Sequence, residues 1–487
     1  MLSPRYYVDL ADGRFNLTTA ADLAEVFARL EAAPTRDHLA VHFHGGLVSR
    51  ASAEAGAEGL LPYYESGGAY PVFFFWHSNL GTTLTKNLDE IASEPVFQRL
   101  VKRLIQLALG KLAAHAGARA AGPLVLESEN RVPDDLPSLA RYANEREPDG
   151  VAGVALTESQ ADAAQAELET DPIVQAESRA IAAAVAPPAP ETTVRERAAG
   201  AKPVAPRRTR MSAAVVQELA AEHPAPGARL GVVTFATLAI RGVIALRRVI
   251  QRFSGGRDHG LYTTVVEELL RELYVDSLGA LAWTLMKKDT LDAFGPDPAM
   301  HGGTAFVQRL SAWWKPGRHI TLIGHSTGAI YIGHFVAHAN SVLPAEAKFD
   351  VALLAPACSF AFMAEKLPLF EKRVRRIRLF GLKDTLERGY WEVPVIYGAS
   401  LLYMVSGLFE EPTVDQPLVG MERYFSNAAP YVTPEISAVT AYLAGKCVWS
   451  IATGAAGLVS GAERHGGFTE DPQTRDSLRE FLRTAAG

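Results

Sequence analysis

Cysteine is nearly absent from this chain: two residues, Cys358 and Cys447, in 487. Both stand in apolar segments, so no disulfide framework is expected and a reducing, cytoplasmic compartment is the natural setting. A charge excess is also missing. Lys and Arg number 48 against 54 Asp and Glu, a net charge of −6, which gives no support for nucleic-acid binding. No apolar run is long enough to cross a membrane. The nearest, Leu230–Ile250, is interrupted by Arg241 and shortened by Arg247 and Arg248, below the ~20 apolar residues a span requires. The first residues, Met1 to Leu10, lack the basic stretch and apolar segment of a secretory signal. There is no G-x-x-x-x-G-K-[ST] phosphate loop and no paired C-x-x-C.

What is present is enough apolar residue for a sizeable core, 48% hydrophobic with 9% aromatic. Continuous apolar runs at His38–His44 and Tyr70–Trp76 read as strands of a sheet covered on both faces; His319–Gly324 and Phe349–Ala355 read as further strands, and Val374–Phe380, whose arginines alternate with apolar residues, as a strand with one solvated face. Tyr6–Leu10 reads as an opening strand and Cys447–Ala452 as a last one. Helical periodicity lies between them, around Thr19–Ala32, Thr304–Trp314 and Pro472–Thr484, so a mostly parallel α/β sheet is expected. Between about Gly81 and Met300 nothing reads as a core strand. Pro95–His115, Val232–Phe253 and Thr263–Phe294 read as helices. Residues 118–228, rich in Ala, Pro and Glu, read as a mobile linker because large apolar residues are few. The expected division is therefore 1–117 as the first part of the core, 118–228 as linker, 229–300 as a helical insertion or lid, and 301–487 as the second part of the core.

The chemistry is concentrated in Gly324-His325-Ser326-Thr327-Gly328, set between an apolar strand and a helix. This is the G-x-S-x-G elbow in the context it requires: a turn so tight that only small residues flank the serine, which lifts the Ser326 hydroxyl clear of the sheet. A serine hydroxyl needs a base, a group that orients the base, and donors for a developing oxyanion. Of 13 histidines only His465 lies beyond residue 338, in a glycine-rich loop after the last strand, so it is the expected base. Asp384, just past a strand, is the expected acid, with Glu387 and Asp415 as alternatives. His44-Gly45-Gly46 ends the strand expected beside the elbow. The backbone N–H of Thr327 and that of Gly45 or Gly46 would form the oxyanion hole, with His44 and His325 in support.

On His44-Gly45-Gly46, Gly324–Gly328, Asp384 and His465 the chain resembles the α/β-hydrolase superfamily in its esterase/lipase-like branch, over about residues 1–80 and 301–487. The resemblance implies a mostly parallel central sheet flanked by helices, with a large helical and partly disordered insertion before the nucleophile strand. Insertions of that kind often act as lids. It also implies hydrolysis of a small-molecule or lipid ester through an acyl-enzyme, without metal or organic cofactor. Thioester, amide and acyl-transfer chemistry would use the same groups. A hydrolase fold that has lost catalysis and binds a ligand is a further alternative. Two other patterns compete: the His42/His44 pair, on one face of a strand as zinc ligands can be, and His334/His338, one helical turn apart without an intervening Glu to complete H-E-x-x-H. Peripheral membrane contact through the insertion, with Arg241, Arg247 and Arg248 on its polar side, is a third expectation.

Overall fold

The structure is a computed structural model that describes residues 2–76, 80–116, 131–148, 151–185, 207–222, 236–275, 280–389, 391–392, 396–410 and 414–486. The chain divides into two compact units. One comprises Met1–Thr83, Ala280–Glu392 and Ser400–Gly487; the other comprises Leu84–Gly279 and Val393–Ala399.

The first unit is built on an eight-stranded sheet: β1 Tyr7–Ala11, β2 Arg14–Phe15, β3 His38–Phe43, β4 Tyr70–Trp76, β5 His319–His325, β6 Phe349–Leu354, β7 Val374–Leu382 and β8 Cys447–Ser450. Its spatial order is β2-β1-β4-β3-β5-β6-β7-β8. Only the β1–β2 hairpin pair is antiparallel; every other pair is parallel. Every residue of β3, β4 and β6 is buried, as a sheet covered on both faces demands. The covering helices include Ala20–Ala32, Arg50–Ser66, Gly302–Trp313, Gly328–Val342, Phe360–Arg373 and Pro472–Arg483. Short polar side chains start them: Thr19 and Asp22 form a reciprocal cap, and Ser49, Ser359 and Asp471 each accept a first-turn N–H. Aromatic rings lock the central helix to the sheet, with Phe43 stacked 4.6 Å from Tyr331 and Phe335 edge-on to Phe43 at 5.9 Å.

The register sets the height of the site. Phe43 pairs with Gly324 and His325 with Leu354, so β3, β5 and β6 end together. From β3 the chain steps to β4 on one side, then returns to add β5, β6, β7 and β8 on the other. The order reverses between β3 and β5, and a crevice opens there at the carboxyl ends of the strands.

The second unit is helical. Helix Pro95–Ala116 packs against Pro172–Val185, Ala236–Ser254 and Leu261–Leu273. The expected boundaries change accordingly: residues 84–116 belong with the helical unit, and helix Ala280–Asp292 belongs with the sheet. The helix expected over Thr263–Phe294 is two helices, Leu261–Leu273 and Ala280–Asp292. Much of the stretch read as linker is also helical, with Leu136–Asn144, Glu158–Glu169, Pro172–Val185 and Ala213–Glu222. The Pro-rich run at 186–190 and the segment to 206 lie outside the described residues. Alanine explains the difference. Ala161 and Ala164 are buried beside Leu168, and a Cβ at Gly242 would come within 2.8 Å of Leu168 Cδ1. Small side chains let these helices approach closely, so few large ones are needed.

Among the described residues no helix is long and apolar enough to cross a membrane. The arginines expected on a polar membrane-facing side are engaged within the unit: Arg241 with Glu218 and Glu272, Arg247 with Glu158, and Arg248 with Glu272.

Candidate active site

Ser326 stands at the end of β5 with φ +55°, the left-handed region that a side chain bearing Cβ rarely occupies. Its N–H donates to Leu354 O at 2.8 Å, and its carbonyl accepts from Ala329 and Ala357 N–H, both at 3.1 Å. The flanking glycines are fixed by space. A Cβ at Gly324 would lie 2.7 Å from Gly328 O, and one at Gly328 would lie 2.3 Å from Phe43 O. Strain of this kind is held only where the surroundings over-determine it, and it clusters at functional positions.

The His44-Gly45-Gly46 turn lies against this elbow. A Cβ at Gly45 would fall 3.2 Å from Ser326 Cβ, and one at Gly46 would fall 2.8 Å from both Thr327 Oγ1 and Met286 Sδ. Helix Ala280–Asp292 therefore brings Met286 over the turn. The N–H groups of Gly45 and Thr327 meet no acceptor among the described residues. His44 shapes the turn: its Nδ1–H donates to Gly45 O at 2.7 Å and its Nε2 accepts from Trp76 N–H at 3.2 Å. The ring stacks on the Trp76 indole at 5.5 Å, and the indole N–H donates back to His44 O at 3.2 Å.

His325 and His465 are neighbours. The His325 Nε2–H donates to His465 O at 2.9 Å, and the two rings lie 5.2 Å apart. Both are buried, and burial pulls each imidazole down to about 4; for His325 the adjacent His465 adds to the effect. Neither ring nitrogen of His465 has a hydrogen-bond partner, so among the described residues its ring is joined neither to the Ser326 hydroxyl nor to Asp384.

The carboxylates between β7 and β8 are already engaged. Asp384 accepts from the Tyr403 hydroxyl, and its own N–H donates to Glu422 at 2.8 Å. Glu387 is fully buried and accepts from the Ser400 hydroxyl, while its Oε1 has no partner. Burial pushes its carboxyl well above the usual range. Asp415, also buried, accepts from Tyr424 at 2.5 Å and Tyr431 at 2.7 Å. Glu392 was not singled out from the sequence. It accepts the N–H of Gly466 at 3.0 Å and of Leu401 at 2.8 Å. Burial pushes its carboxyl up, and these N–H groups and His325 pull it back. Nothing in Trp391-Glu392 distinguishes this carboxylate in the sequence; only the path of the connection brings it to the His465 turn.

The competing histidine patterns have other partners. His42 Nδ1 lies 2.9 Å from the Tyr64 hydroxyl in the core. His334 sits edge-on to Phe362 at 5.3 Å, and His338 lies 5.5 Å from Phe294. Among the described residues no group of three or more His, Cys, Asp or Glu side chains is arranged to hold a metal ion. A cavity of about 470 Å³ lies along the helix that leaves the elbow, lined by Ile330, His334, Phe362, Leu291 and Lys287 among others, within the size range of small-molecule sites. Compared with family models, curated proteins and solved structures, the chain matches none.

Proposed function

We propose that this protein is a serine hydrolase of the α/β-hydrolase kind that cleaves carboxylic esters through an acyl-enzyme. One observation carries the reading: a serine with left-handed backbone, wedged between two glycines that tolerate no Cβ, at the point where the strand order reverses. The unbonded N–H groups of Gly45 and Thr327 beside it support the same reading. Ser326 attacks the acyl carbonyl while the neutral imidazole of His465, turned toward it, takes the proton. The Thr327 and Gly45 N–H groups bind the tetrahedral oxyanion, with Gly46 shaping the turn. The alcohol leaves with the proton from His465, and water activated by the same ring releases the acid. A carboxylate of the β7–β8 connection, between serine and histidine in chain order, holds the ring in its tautomer. Thioesters, amides and acyl transfer are open to the same groups.

A second reading, a hydrolase fold that binds without catalysis, is favoured by one fact: the His465 ring carries no bond to Ser326. Labelling with a fluorophosphonate, alongside turnover of p-nitrophenyl esters of graded chain length, separates the two. Labelling and turnover that disappear in Ser326→Ala are expected. A folded wild-type protein that neither labels nor turns over, with and without detergent, would leave the binding reading.

A further inference from the structure

The His465 imidazole is buried with both nitrogens unpartnered, a costly arrangement unless an acceptor is within reach of a small ring rotation. The described carboxylates of the β7–β8 connection can be taken in turn. Asp384 is held by Tyr403, Glu387 by Ser400, Glu410 by Lys287 and Trp283, Asp415 by Tyr424 and Tyr431, and Glu422 by the Asp384 N–H, while Glu435 is exposed in the first turn of helix Pro434–Leu443. Glu392 alone among them bonds to the segment that carries the histidine, through the N–H of Gly466, the residue that follows it. Its second N–H partner is Leu401. An ionised carboxylate offers about four acceptor positions, so two N–H bonds leave room for a ring N–H. Chain order is unchanged, because Glu392 lies between Ser326 and His465 as Asp384 does.

We propose that Glu392, in place of Asp384, is the carboxylate that orients His465, clasping the backbone of its turn and receiving one ring N–H. This rests on the serine-hydrolase reading for its purpose, but not for its test. Glu392 is a positioning residue: it acts on the base and does not touch the substrate.

The experiment combines fluorophosphonate labelling rates with the long-range 1H–15N spectrum of the imidazoles at neutral pH, on the full-length protein. The variants are Glu392→Gln, Glu392→Asp and Asp384→Asn, each with and without Ser326→Ala. Glu392→Gln is expected to slow labelling by about 10²–10⁴-fold and to remove a downfield His465 ring proton seen in the parent. Glu392→Asp recovers part of the rate, and Asp384→Asn stays within about threefold of the parent rate. The proposal is overturned if the His465 ring proton is absent in the parent or survives Glu392→Gln, whatever the rate does. It is equally overturned if Asp384→Asn carries the loss and Glu392→Gln does not. Failure of the parent to label would remove the hydrolase reading, while the imidazole spectrum would still decide the role of Glu392.

Discussion

At position 328 a single methyl group is too large, because the added carbon would stand 2.3 Å from the Phe43 carbonyl oxygen. That oxygen belongs to a paired strand and cannot retreat as a side-chain tip would. Gly328→Ala is therefore expected to cost about 1–3 kcal/mol or more, read as a lower urea midpoint together with loss of labelling at Ser326. Ser326→Ala removes only a hydroxyl and should leave stability within about 0.5 kcal/mol of the parent while abolishing labelling. The state of His465 gives a second expectation. An imidazole pulled down to about 4 by burial is still a neutral base well below the usual histidine range. The labelling rate should then hold as pH falls through 6.5 and drop only toward the lower value. A half-maximal rate at pH 6.5 or above would show a hydrated His465.

Single elements carry their own liabilities, and helix Ala236–Ser254 has the clearest. Arg252 is buried on it and pairs with Glu267 at 2.5 Å and Glu268 at 3.0 Å. Glu267 also bonds His259 at 2.8 Å and the Tyr397 hydroxyl. The cation and the imidazole hold its carboxyl well below the usual range against the cost of burial. Arg252→Met would leave two buried carboxylates without that cation, at a cost of about 3–5 kcal/mol, visible by calorimetry as an earlier transition. Elements also mark where the sequence was legible. Strands such as β4 could be read because they are continuous apolar runs, β7 because apolar residues alternate with its arginines, and the elbow because strand, glycines and helix follow in order. The small-residue helices were missed because composition signals disorder where alanine in fact allows close packing. Choosing the carboxylate was beyond the sequence, since Asp384, Glu387, Glu392 and Asp415 differ only in which donors the fold brings to them.

For the molecule as a whole, buried histidines set an acid limit. Burial holds His38, His325 and His465 at about 4 and His42 at about 3. The unfolded chain binds these protons near 6.5 and the native one does not, so stability is complete above that value and falls as pH drops toward 4. Each such imidazole removes up to about 1.4 kcal/mol per pH unit in that window. Urea midpoints should thus fall steeply between pH 6.5 and 4.5, and a flat profile would mean that these rings are solvated. The sheet order has a different consequence, during synthesis. β3 ends at Phe43, while the strand that closes its other side begins at His319. On a translating ribosome, that interval lasts on the order of tens of seconds. Throughout it the nascent chain presents an open, mostly apolar strand edge to its surroundings, a natural place for a chaperone to hold it.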